Sequence, residues 1–195
     1  PADIAQAGAV DQVVSQTLDK FGRLDALAHC VGSIFLKPVH LTSDEEWEQT
    51  LRLNLYSAFY ALRAGVKAMM KTGGSIALCS TAASLTGVPN HEAIAAAKGG
   101  INSLVLSAAA TYASYGIRVN AVAPGLVRTP LSEKIISNER SLKVSLAMHP
   151  LGRIGEPSDI AASLDYFLDP SNSWITGQIV AVDGGLSTLR PRIHP

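Results

Sequence analysis

The chain is poor in several features that mark whole classes of protein. Cysteine is nearly missing: Cys30 and Cys79 are the only two in 195 residues, too few for a disulfide framework, so a reducing cytoplasm is the expected compartment. Two sulfurs alone support neither a disulfide nor a metal site. An excess of one charge is missing too. The 16 basic residues balance 16 acidic ones, which argues against a nucleic-acid partner, and no charged run suggests an anionic membrane surface. No uninterrupted apolar stretch reaches spanning length, and no signal peptide opens the sequence. The first residue is Pro1 rather than methionine, which reads as a fragment or a processed chain. What is present is a 47% hydrophobic composition, enough at this length for a sizeable core in one domain over residues 1–195.

Helix-like and strand-like segments alternate. Residues 8–21 carry Val10, Val13, Val14, Leu18 and Phe21 in a helical rhythm closed by Gly22. Residues 24–31 read as a buried strand that ends at Gly32. Ser43 followed three residues later by Glu46 is a capping-box signature, opening a long helix with Trp47, Leu51, Leu55, Phe59 and Leu62 at helical spacing. Residues 75–79, 118–122 and 178–182 read as further strands, and 91–114 and 157–167 as further helices. Strands separated by helices imply an α/β fold with a parallel sheet covered on both faces. Residues 126–150 are the least regular, either a mobile segment over a site or a helix-bearing loop.

Four stretches, in order and at fitting separations, resemble the short-chain dehydrogenase/reductase family. They are Phe21-Gly22-Arg23-Leu24-Asp25, residues 118–125 (Arg118 to Gly125), residues 150–157 (Pro150 to Pro157), and residues 175–185 (Ile175 to Gly185). The resemblance implies a Rossmann-type doubly wound parallel sheet, NAD or NADP as cofactor, and a small-molecule substrate. It also implies assembly as a dimer or tetramer through the helices near 44–71 and 91–114 and through the final strand. The family's glycine-rich TGxxxGxG turn, which brings backbone to the cofactor pyrophosphate at a helix N-terminus, is not found in this sequence. Asp3-Ile4 resembles the family's Asp-Val pair, whose carboxylate contacts the adenine. Roughly 60 residues, about two βαβ units, are therefore expected upstream. Without them the strand at 24–31 would be a long apolar edge, an aggregation hazard, so a longer protein or a covering partner is expected.

The same resemblance assigns the site. His29-Cys30-Val31-Gly32 occupies the place of the family's Asn-Asn-Ala-Gly, on the adenosine side of the cofactor, and keeps only Gly32. Cys30 and Cys79 read first as small buried core residues, and His29 as a hydrogen-bonded packing residue. Asn54 matches an asparagine that kinks a helix and holds a relay water; the alternative is a helix–helix hydrogen bond, since a buried amide must be paired. Thr81 lies thirteen residues before the family's tyrosine position with Ser80 beside it, and either hydroxyl could donate to a substrate carbonyl or simply cap the strand end. Lys98 matches the lysine that holds the nicotinamide ribose hydroxyls. Pro124, Gly125, Val127 and Thr129 match the loop that binds the carboxamide.

At the tyrosine position stands Ile94, four residues before Lys98. It has no proton to give, and a positioned general acid contributes about 10²–10⁴ in rate. His91, three before Ile94 and seven before Lys98, falls on the same helix face. Histidine titrates near neutral pH, and in the family's enoyl-reductase branch the working tyrosine lies seven before the lysine. A helix-start residue facing solvent is the other reading of His91. Two functions follow: an NAD(P)(H)-dependent oxidoreductase acting on a small carbonyl (3-oxoacyl-like) or enoyl substrate, and a catalytically silent homologue that binds cofactor or assembles.

Overall fold

A computed structural model describes residues 2–190. The chain opens with a turn and helix α1 (Ala9–Phe21), closed by Gly22 in the left-handed region. Strand β1 (Ala26–His29) follows, shorter than the expected 24–31. Helix α2 (Asp44–Leu51) begins with the expected box: the Glu46 N–H donates to Ser43 Oγ at 3.2 Å, and the Ser43 N–H to Glu46 Oε2 at 2.9 Å. The long helix is not continuous. A widened π-helical turn over Arg52–Tyr56, with the Ser57 N–H reaching back to the Arg52 carbonyl, separates α2 from α3 (Ser57–Met69). Such turns are rare and concentrate at functional sites.

The remaining elements are β2 (Gly74–Cys79), α4 (Glu92–Tyr112), β3 (Ile117–Pro124), α5 (Glu133–Ile136), α6 (Glu139–Met148), α7 (Pro157–Leu168) and β4 (Ile179–Val182). The irregular stretch 126–150 is thus a helix-bearing loop. The four strands pair in chain order, all parallel. Strands buried on both faces read as continuous apolar runs, and Ile76, Ala77, Leu78, Val119, Ala121, Val122 and Ala123 are all fully buried.

On one face, Leu62, Val66 and Met69 of α3 and Ile101 and Val105 of α4 pack on Ile76, Leu78 and Val119. On the other, Leu164 and Phe167 of α7 cover Ala77 and Val122. Arg118 fastens this second layer, donating to the carbonyls of Phe167 (2.8 Å), Ile175 (3.2 Å) and Asp169 (3.0 Å). By length and composition residues 92–115 could cross a membrane, but here that apolarity is spent on the core. Among the described residues β1 forms one edge of the sheet, with Ala26 and Ala28 exposed.

Ile101 and Leu106 lie on opposite faces of α4, fully buried and 54% exposed. Ile101→Ala is expected to lower unfolding free energy by about 2–5 kcal/mol, and Leu106→Ala to change it by less than about 0.5 kcal/mol. Urea denaturation of both variants checks this.

Candidate active site

A crevice of about 410 Å³ opens at the carboxyl ends of the strands, where parallel α/β sheets place their ligands. Its walls come from every layer of the fold: Cys30 and Gly32 after β1, Cys79, Ser80 and Thr81 at the end of β2, Ile94 and Lys98 from α4, Pro124 to Val127 and Thr129 after β3, and Ile160 and Leu164 from α7. Lys98, Thr81 and the 124–129 loop therefore meet in one cleft.

Lys98 is 7% exposed, and its Nζ donates to the Cys79 carbonyl at 2.8 Å. Burial pulls its ammonium below the usual lysine range, against the opposing influence of Cys79 and Cys30. Asn54 does not line the crevice; it is fully buried behind it. Its Oδ1 accepts the Ser33 N–H at 3.1 Å, and its Nδ2 donates to Ser33 Oγ and to the Thr50 carbonyl, each at 2.9 Å. The asparagine thus pins the loop after β1 to the π-helical turn. Gly32 is required at this junction, because a Cβ there would sit 2.6 Å from Asn54 Oδ1 and 3.2 Å from Lys98 Nζ.

The two hydroxyls at the end of β2 separate cleanly. Ser80 is 4% exposed and turned to the helix layer, donating to the Lys98 carbonyl at 3.2 Å and lying 3.1 Å from Ser84 Oγ. Thr81 lines the cleft, and its Oγ1 accepts the Ala83 N–H at 3.3 Å, leaving its own hydrogen to donate. Both residues line the crevice; the Ser80 hydroxyl is already engaged with Lys98 and Ser84, whereas Thr81 keeps its hydrogen available.

A second, mostly apolar pocket of about 170 Å³ abuts the crevice and shares Ile34, Thr81, Ile94 and Pro124 to Leu126 with it. Leu36, Val88, Ile135, Met148 and Leu186 complete its wall, and His91 lines it. The ring is aimed by its neighbour: Asn90 is the one non-glycine among the described residues with positive φ, at 64°, a conformation asparagine tolerates. His91 Nδ1 lies 2.8 Å from the Pro89 carbonyl. As donor there, Nδ1 leaves Nε2 as the free position of the ring. The side chain lines the pocket while staying half-exposed at the start of α4.

Other placements depart from expectation. Cys30 is exposed and lines the crevice, whereas Cys79 is half-buried; the core reading fails for Cys30 because β1 ends one residue earlier. The Val31 side chain is 50% exposed and does not line the crevice. Asp3 and Ile4 also lie away from it. Asp3 accepts from the Ala5 N–H and the Gln6 side chain in the opening turn, and Ile4 packs with Val10 and Val14 against α3. His149 was not anticipated. It is 4% exposed, its Nε2 accepts the Leu126 N–H at 3.1 Å, and its Nδ1 lies 2.6 Å from the Ser145 carbonyl. With Nε2 accepting, Nδ1 is the ring position that donates to the Ser145 carbonyl. The ring crowds Gly125, where a Cβ would lie 2.5 Å from Nε2. Only its position immediately before the Pro150 motif could have signalled this.

These features agree with what the chain is similar to. The family model described as enoyl-(acyl carrier protein) reductase matches residues 1–187. A 2,5-dichloro-2,5-cyclohexadiene-1,4-diol dehydrogenase of Sphingobium indicum is 36% identical over 191 residues, 96% of this chain and 76% of that protein. A short-chain type dehydrogenase/reductase from Mycobacterium ulcerans superposes with a TM-score of 0.92 at 30% identity, covering 98% of this chain and 70% of that one. The chain belongs to the short-chain dehydrogenase/reductase family. A further structure, ElxO with NADP bound, matches at TM-score 0.90 and 28% identity over 96% of this chain and 77% of its own. NAD or NADP is the cofactor of this short-chain dehydrogenase/reductase. The cleft fits that group: a buried ammonium faces it, the Gly32 turn leaves no room for a side chain, and Thr129 stands at its rim.

His29, at the last position of β1, is 5% exposed, and among the described residues neither ring nitrogen has a partner, so it packs as expected but without the expected hydrogen bond. Burial, then the charge of Lys98, lowers its pKa to about 4 from an ordinary 6.5. Between those values the unfolded chain binds a proton that the folded chain refuses, so stability falls as pH drops through this window. His29→Gln is expected to flatten that slope between pH 6.5 and 4 in urea titrations. An unchanged slope would show that His29 protonates freely in the native state.

Proposed function

We propose that this protein is an NAD(P)(H)-dependent oxidoreductase of a small, largely apolar carbonyl (3-oxoacyl-like) or enoyl compound, with His91 as proton donor. The observation that carries the reading is that His91, Thr81 and Ile94 line one apolar pocket continuous with the cofactor cleft. When bound, the nicotinamide supplies hydride chemistry at its C4. The Lys98 ammonium would hold its ribose hydroxyls, and Val127 and Thr129 its carboxamide. Thr81 Oγ donates to the substrate oxygen and orients it. Ile94 and the surrounding aliphatic side chains keep water out, which strengthens each polar contact inside. Protonated His91 holds the Pro89 carbonyl through Nδ1 and offers its Nε2 proton to the reduced substrate.

The enoyl variant is favoured by the spacing of His91 from Lys98 and by the description of the matching family model. The carbonyl variant is favoured by Thr81 and by the relative that is named a diol dehydrogenase. Assembly as a dimer or tetramer is proposed through α2–α3, α4 and β4, where Phe59, Leu106 and Val180 stand 42%, 54% and 42% exposed. The cytoplasm is the proposed compartment, in keeping with two free thiols.

A second reading, a silent cofactor-binding or assembling homologue, rests on Ile94 itself, which is 5% exposed and fills the family's tyrosine position. Steady-state assays over aldehyde, ketone, ketoacyl and enoyl thioester panels, with NADH and NADPH, decide between them. His91→Ala is expected to lower kcat by about 10²–10⁴ with a much smaller effect on KM. Turnover unaffected by that change removes His91 from the chemistry. Absence of turnover across the panel, with cofactor binding intact and activity gained in Ile94→Tyr, establishes the silent reading.

A further inference from the structure

We infer that Cys30 and Cys79 form a cross-strand thiol pair that closes to a reversible disulfide inside the cleft, excluding the cofactor while it is closed. The pair follows from the sheet register. His29 of β1 stands opposite Leu78 of β2 in parallel pairing, so the next residue on each strand, Cys30 and Cys79, occupies the following matched position. Adjacent strands lie about 4.7–4.9 Å apart, inside the Cα separation of about 4.4–6.8 Å that disulfides span.

Alternation puts both side chains on one face. Cys79 packs with Ala77 and Val122 against α7. Leu27 points to the α1 and α3 side, so Ala28 and, one residue past the strand end, Cys30 point to the α7 side. Both residues line the same crevice. Both are free. Burial raises each thiol and the neighbouring Lys98 ammonium opposes that rise, while Cys30 also acts on Cys79.

Directly opposed strand positions hold Cβ atoms slightly too far apart for a relaxed bridge, and such strained disulfides are the readily reduced, labile ones. Cys30 lies one residue beyond the last paired residue of β1 and three before Ser33, which Asn54 holds, so a local shift at Cys30 would close the remaining gap. With a low-molecular-weight disulfide such as oxidised glutathione as oxidant, the chemistry balances. The exposed Cys30, as thiolate, attacks one glutathione sulfur, breaking that S–S bond and releasing one glutathione thiol. Cys79, on losing its proton, then attacks the Cys30 sulfur and releases the second. The protein loses two hydrogens as the disulfide forms, and the oxidant is reduced to two thiols. The bridge would replace the thiol pair in the wall beside Lys98 and draw the Gly32 turn toward β2, narrowing the cleft.

The bridge itself does not depend on the proposed reaction; its effect on binding rests on the cofactor occupying this cleft. The test treats the protein with oxidised glutathione and follows intact mass, free-thiol content and NADPH binding by fluorescence. The expected result is a loss of two hydrogens, no free thiol, and NADPH affinity reduced by roughly tenfold or more, all reversed by dithiothreitol. Prior saturation with NADPH should slow oxidation. Cys79→Ala should instead stop at a stable glutathione adduct on Cys30. A wild-type protein that also stops at glutathione adducts, or keeps both thiols under conditions that oxidise a small dithiol, overturns the pair. A bridge that forms while NADPH binding stays unchanged overturns the gating.

Discussion

The constraint on which this site depends is the burial of an ammonium group at the end of a parallel sheet. Taking such a charge out of water imposes a penalty of several kcal/mol unless hydrogen bonds offset it. No carboxylate lies within ion-pair reach of Lys98 among the described residues. Its one hydrogen bond is to the Cys79 carbonyl. An ammonium has three donors, so the group keeps capacity to spare and faces a cleft suited to a ligand rich in hydroxyls. The surroundings are arranged to keep it there. Ser80 holds the Lys98 carbonyl, Asn54 holds the loop that passes over Nζ, and Gly32 supplies the only residue type that fits between them.

Replacing a tyrosine by Ile94 changes what this arrangement can do. In the proposed reaction Lys98 would hold hydroxyls but has no phenol whose pKa it could lower. Thr81 orients without being an acid, because an aliphatic hydroxyl gives up its proton only at very high pH. The isoleucine also makes the adjoining pocket more apolar, favouring substrates that present one oxygen and a hydrocarbon body. The proposed reaction would need a proton source at the rim, and His91, following Asn90 in its left-handed conformation, lines the pocket there.

Much of this could be read along the chain. The capping box at Ser43 and the buried apolar runs at 75–79 and 118–122 announce themselves through local chemistry or periodicity, while Lys98 is legible only through the family resemblance. What escaped was decided by direction rather than composition. Ser80 and Thr81 are equivalent as residue types, and only the fold shows that the Ser80 hydroxyl is tied to Lys98 and Ser84 while that of Thr81 keeps its hydrogen to donate. Cys30 looked like core because a longer strand was expected; with β1 ending at His29 the cysteine emerges at the surface. The apolar pocket draws Leu36, Val88, Ile135, Met148 and Leu186 from separate segments, which share no spacing a sequence could display. His149 looks like any lone histidine until its ring is seen accepting from the Leu126 backbone.

The cleft has two unlike walls, and the difference explains why a planar ring would take a defined orientation in it. The α4 side carries the Lys98 ammonium and the Thr81 hydroxyl, while the α7 side offers Ile160, Ala161 and Leu164. A ring carrying polar groups at its edge satisfies both walls in one pose only, because turning it over would bury those groups against aliphatic carbon at an unmatched desolvation penalty. The apolar pocket shares Ile94 and Pro124 with the cleft, so a substrate held there would lie beside the ring. Both faces of the sheet are apolar, so the polarity of the cleft comes from Lys98 and the strand-end residues, and these set the side on which the polar edge of a ring would rest.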